Sequence, residues 1–280
     1  LSSTCYNHDS SIKPSFDLYI PLKFFFCRNI GLSLPLISIR SQTINLKLSI
    51  NNLKNVIHTT YPDKDIDNKI KINNITLLCK FIYLDQDERQ KFANIPHEYV
   101  YEKINQLNYS ILKNNEININ LDFNYPSKYL IWGIQKKSDI ENYNLDFNFE
   151  ATLDYSVIDN KPVINNNINN PVKSTTLLLN GSTRFNLDGN YYNYLTPYEI
   201  NLSTPADGIN FLPFCIIPKS YQPSGSCNFS QINSKKLNIF LNEEFLSRLS
   251  DNDYINVNII SVNHNVLTFK NGLCSSLFNF

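Results

Sequence analysis

Gln222-Pro223-Ser224-Gly225-Ser226-Cys227-Asn228-Phe229-Ser230-Gln231-Ile232 reads as a turn that launches a strand, and no catalytic arrangement accounts for it. Proline presets its own φ, and the glycine two residues later accepts a positive φ, so Pro223-Ser224-Gly225 is a ready-made corner. If the backbone then runs extended, Cys227, Phe229 and Gln231 share one face and Asn228, Ser230 and Ile232 the other. The stretch predicts a β-rich domain with a fixed corner in it.

The rest of the chain carries the same signal. Short β-branched and aromatic runs, bounded by Asn, Asp, Pro and Gly, predict strands at 16–27, 43–50, 75–84, 99–104, 117–123, 129–135, 175–179, 208–217, 237–241, 254–262 and 266–270. The run Thr43-Ile44-Asn45-Leu46-Lys47-Leu48-Ser49-Ile50 alternates apolar and polar with period 2. One helix stands out, 85–93, with Asp85 as N-cap, an acidic first turn suited to the positive helix end, and Pro96 to stop it. Residues 51–71 are polar and charged and predict an interdomain linker or a long loop. Asn-rich 159–170 predicts a long surface loop. About eight strands with long loops over 72–280 predict a double-sheet sandwich of jelly-roll type.

Composition narrows the function. The 280 residues are 42% hydrophobic, enough for a core, and Lys+Arg balances Asp+Glu at 25 each. A neutral chain lacks the basic surplus that phosphate binding needs, so nucleic acid is not the expected partner. Low net charge favours self-association instead. The six cysteines are scattered without a Cys-x-x-Cys pair, which suits neither a zinc site nor a disulfide framework and points to a reducing compartment. No apolar run approaches the length of a membrane helix. The chain has no methionine and begins at Leu1; the expectation is the C-terminal portion of a longer protein.

Several segments line up in one order: Phe24-Phe25-Phe26-Cys27-Arg28-Asn29 with Gly31-Leu32-Ser33-Leu34-Pro35; Tyr83-Leu84-Asp85-Gln86-Asp87-Glu88-Arg89; Pro96-His97-Glu98-Tyr99; Leu130-Ile131-Trp132; Leu179-Asn180-Gly181 leading to Arg184-Phe185; the 222–232 corner; and Asn263-His264-Asn265. This order resembles the major capsid protein family of the nucleocytoplasmic large DNA viruses. The resemblance implies an all-β, double jelly-roll capsid fold. Residues 1–55 would be the C-terminal strands of the first jelly roll, 56–71 a linker, and 72–280 the whole second jelly roll. It implies a structural shell protein that forms homotrimeric, pseudo-hexagonal capsomers of an icosahedral virion. Its partners would be itself, neighbouring capsomers, minor capsid proteins and an inner membrane layer, with no direct nucleic-acid contact. Assembly would take place in the infected host cell, in the cytoplasm. Two features depart from the family pattern: Phe24–Phe26 has no tryptophan, and Ser182-Thr183 stands where charged or histidine residues are common.

No catalytic, cofactor-binding or metal-binding residue is assigned, and no cofactor is expected. His8, His58, His97 and His264 are isolated, without the His-x-His plus carboxylate a metal-binding jelly roll would need. Cys227 reads as a packed thiol rather than a nucleophile. Asp85, Asp87 and Glu88 are explained by capping one helix. Trp132 sits in an apolar run and reads as core or subunit interface. The alternative function is a jelly-roll carbohydrate- or receptor-binding attachment module, with Tyr191-Tyr192-Asn193-Tyr194 as the candidate aromatic platform.

Overall fold

The computed structural model describes residues 17–50, 72–137, 170–200, 202–205, 207–247 and 249–278. Ten strands form two antiparallel sheets: β1 (His97–Leu112), β2 (Glu116–Asn120), β3 (Pro126–Lys136), β4 (Val172–Leu179), β5 (Ser182–Asp188), β6 (Asn210–Pro213), β7 (Cys227–Asn228), β8 (Lys235–Leu241), β9 (Tyr254–Lys270) and β10 (Leu273–Ser276). The first sheet runs β1-β9-β3-β6, with β10 on β9 and β7 on β3; the second runs β2-β8-β4-β5. Apart from the hairpins β4–β5 and β9–β10, neighbours in each sheet are not consecutive in sequence, so the chain crosses repeatedly between sheets. That is the jelly-roll arrangement.

Period-2 alternation puts one face of each sheet inside. Leu130, Trp132 and Ile134 of β3 and Ile255, Val257 and Ile259 of β9 meet Ile117 and Ile119 of β2, Leu177 of β4 and Leu237, Ile239 and Leu241 of β8. Trp132 is core, its ring edge-to-face with Tyr192 at 5.0 Å. The Tyr192 hydroxyl donates to the Thr175 carbonyl, so the tyrosine fills the core without orphaning its polar end.

The opening corner is real, though its strand is short. Gly225 has φ +130, where a Cβ would sit 3.1 Å from the Phe214 carbonyl oxygen. Only Cys227 and Asn228 pair as a strand, against Ser127 and Pro126. The Asn228 side chain then accepts from Ser230 N and turns the chain into a 3-10 turn, Phe229–Gln231, with Phe229 fully buried. Capping by asparagine therefore overrides the expected alternation after residue 228.

Other expectations shift for stated reasons. The helix forms as Gln86–Asn94, with Asp85 accepting from Glu88 N at 2.8 Å and Ile95 as C-cap. The run 16–27 is not one strand, because Phe25–Arg28 is a helical turn in which Phe26 stacks on Phe24 and meets Phe25 edge-on. Residues 43–50 and 75–84 form no strand pairing among the described residues, and their apolar side chains are exposed except for half-buried Leu84. A strand needs a ladder partner, which alternation alone does not supply. The expected break at 263–265 is absent: β9 runs through it because buried asparagines find partners. Asn263 Nδ2 donates to Asn105 Oδ1, and Asn265 both donates to the Phe278 carbonyl and accepts from Phe278 N. The span 185–208 holds the end of β5 and the helical turns Tyr191–Leu195 and Thr196–Glu199. The expected surface loop 159–170, save for its last residue, and the linker 56–71 lie outside the described residues.

Candidate functional site

β1 and β9 are much longer than the strands of the second sheet and project beyond it. Sixteen residue pairs join them, from His97↔Phe269 to Leu112↔Tyr254. Their projecting ends, with β10, carry a separate aromatic cluster. His97 packs against Phe92, Tyr99 and Phe269, and Tyr99 meets Phe269 edge-on at 5.0 Å.

Residues 25–42 clamp onto this projection. Phe25 lies 4.9 Å from the Tyr101 ring. Ser38 Oγ donates to the Phe92 carbonyl and sits 2.8 Å from His97 Nε2. Arg40 N and Ser41 N both donate to the Gly272 carbonyl, and Cys274 N donates to Gln42 Oε1. Gly272 has φ +79, and a Cβ there would lie 3.2 Å from Ser41 Oγ, so glycine fits both the turn and the close approach.

The electrostatic centre of the junction follows from a β-bulge. The register of β3 on β9 slips between Ser127 and Tyr129, so Lys128 is the extra residue. A bulge re-aims its side chain, and here it turns Lys128 to the outer face of the sheet. Its side chain is 1% exposed, and its Nζ donates to Glu102 Oε1 at 2.5 Å and to the Ser220 carbonyl at 2.9 Å. Glu102 Oε2 takes Arg28 Nη1 at 3.0 Å, and the Tyr221 hydroxyl donates to the Arg28 carbonyl. One carboxylate thus ties the 25–42 segment, β1 and β3 together. His264 stands directly opposite Glu102 on β9. Burial, and then the Lys128 charge, hold its imidazole below the ordinary value, with Glu102 opposing. Burial pushes the neighbouring Tyr129 phenol up to about 12, and Glu102 adds to it.

Beside Arg28 a cleft of about 440 Å³ opens on this outer face, over Tyr129, Ile131 and Phe211. Nothing in its lining pairs a nucleophile with a base, and among the described residues no three His, Cys, Asp or Glu side chains gather as metal ligands.

The residues weighed from sequence are dispersed. His97 and His264 lie on opposite faces of the projection, and His8 and His58 fall outside the described residues. The Cys227 thiol packs against the core, and burial raises its pKa, the opposite of an activated nucleophile. Of the proposed aromatic platform, Tyr192 and Asn193 are buried and the Tyr194 hydroxyl is spent on Asp207 Oδ1. Those tyrosines serve packing. Sequence reading missed the Arg28–Glu102–Lys128 cluster. The available signal was a lysine in the run Tyr125-Pro126-Ser127-Lys128-Tyr129-Leu130-Ile131-Trp132, where an unpaired ammonium would be costly.

Known proteins resemble the chain in sequence and in fold. The family described as "Large eukaryotic DNA virus major capsid protein" matches residues 88–275, and "Major capsid protein N-terminus" matches residues 4–85. The chain is 25% identical to the major capsid protein of Phaeocystis pouchetii virus, with 93% of this chain and 65% of that protein covered. It is 30% identical to the major capsid protein of Paramecium bursaria Chlorella virus 1, with 79% of this chain and 54% of that protein covered. A quasi-atomic model of the PBCV-1 virus capsid shares the fold, with TM-score 0.62 and 23% identity over 94% of this chain and 70% of that one. The chain therefore spans between about half and two thirds of the length of these two curated relatives.

Proposed function

The chain belongs to the major capsid protein family of large eukaryotic DNA viruses, and from that premise we propose that it builds the icosahedral shell of such a virus. Its work is burial and shape rather than turnover. The observation that carries the reading is a two-sheet jelly-roll sandwich with a charged clamp at one end, matched over residues 88–275 by the capsid family.

In this reading residues 1–55 supply the last strands of one jelly roll, 56–71 link, and 72–280 form the second. The exposed alternating run at 43–50 supports that division, because its apolar residues need a sheet that the second sandwich does not offer. Three copies close into a pseudo-hexagonal capsomer through heterologous patches. Capsomers then meet each other, minor capsid proteins and an inner membrane layer in the virion. Assembly is in the host cytoplasm. A net charge of zero supports shell contacts over nucleic-acid binding. Sedimentation of the full-length protein tests the reading: a trimer is expected, and a stable monomer at micromolar concentration overturns it.

A further inference from the structure

The cleft beside Arg28 has the size of a small-molecule site. Its floor is apolar although it lies on the outer face of the sheet. Ile131 and Phe211 are directly paired between β3 and β6, and the Tyr129 and Phe211 rings lie 5.1 Å apart. Pro197, Pro205 and Pro218 wall it, together with Ser203, Lys219 and Tyr221. Proline has no N–H, so the three prolines offer a peptide's carbonyls no backbone donor. A hydrocarbon chain needs none.

The cleft is also cationic at one end. Arg28 and Lys128 share the single carboxylate of Glu102, and Lys219 also lines the cleft, so cationic groups outnumber the one carboxylate there. Arg28 spends Nη1 on Glu102 and Nε on the Lys23 carbonyl, so its other N–H groups remain to donate at the cleft. The Tyr129 hydroxyl, a protonated phenol in the lining, is a second donor.

We propose that the cleft binds a monocarboxylate carried on an apolar chain, of the fatty-acid type. Its carboxylate sits at Arg28 and Tyr129 and its chain lies over Ile131 and Phe211. A neutral head leaves the excess charge unanswered.

Calorimetric titration of the full chain with sodium decanoate and with decanol tests this. Decanoate is expected to bind about tenfold tighter than decanol or better, a preference that Arg28→Gln removes while leaving decanol unchanged. Leu202→Glu, on the cleft wall away from the ion cluster, is expected to weaken decanoate about tenfold without moving the melting temperature. It decides the matter if Arg28→Gln does not fold. Equal binding of decanol, no heat with either probe at millimolar concentration, or indifference to Leu202→Glu overturns the proposal. Binding of an acetyl-Leu-Leu-Glu amide in place of decanoate overturns it in favour of a protein partner. A trimer that binds no decanoate refutes this site and leaves the shell reading standing.

Discussion

Glu102→Gln keeps the shape of the junction and removes the one negative charge that Arg28 and Lys128 share. The Lys128 ammonium, 1% exposed, then keeps only the Ser220 carbonyl and an amide oxygen as acceptors. Breaking a buried pair from one side costs about 3–5 kcal/mol, because the remaining charge is stranded. Glu102 itself is 22% exposed, so water enters on its side and the lower end applies, about 3 kcal/mol. Lys128→Met removes the stranded group instead and leaves Glu102 with Arg28 near solvent, which should cost about 1–2 kcal/mol. The double variant should then lose about 1.5 kcal/mol less than the sum of the singles. Urea unfolding followed by the fluorescence of Trp132, the one tryptophan of the chain and fully in the core, measures all four proteins. Protein concentration is held fixed, since association shifts the midpoint. A Glu102→Gln loss below about 1 kcal/mol, or additivity within about 0.5 kcal/mol, would refute the argument that one carboxylate holds the junction.

Two further outcomes are expected. A Cβ at Gly189 would lie 2.0 Å from the Val172 carbonyl oxygen, a backbone atom that cannot step aside, so Gly189→Ala should cost about 3 kcal/mol or more and sharply reduce soluble yield; an unchanged melting temperature would contradict this. His264 titrates below its ordinary 6.5 in the fold, so the unfolded chain takes up the proton first as pH falls. The stability tied to a neutral His264 is full above pH 6.5 and drains away below it, down to the folded value. His264→Gln should flatten melting temperature against pH across that window, and an unaltered slope would reject the assignment.

The sandwich could be read from the chain because its strands are half-buried and show their period: 117–123, 129–135, 175–179 and 237–241 all fall on strands or directly on their continuations. The helix was legible through Asp85 and Pro96, two local signals that need no tertiary help. What escaped depends on partners far away in sequence. Asn263, His264 and Asn265 look like a break until Asn105 and Phe278 are placed beside them. Residues 43–50 look like a strand until the ladder is sought. β5, exposed on most positions, gives no alternation to read. The ion cluster needed a register slip of one residue to aim Lys128 outward, and no propensity encodes a slip.

The long β1–β9 pair has a mechanical consequence. Seventeen extended residues span about 55 Å, and the 25–42 clamp grips one end of that length. A pull on the clamp along the strands loads the cross-strand hydrogen bonds in shear, all together, so no single bond bears it. A pull across the sheet would open the same bonds one after another, as a zipper does. The projection therefore makes the molecule stiff along one axis and comparatively weak to peeling at the free edge of β1, and a shell built from it should yield first where neighbours tug sideways on that edge.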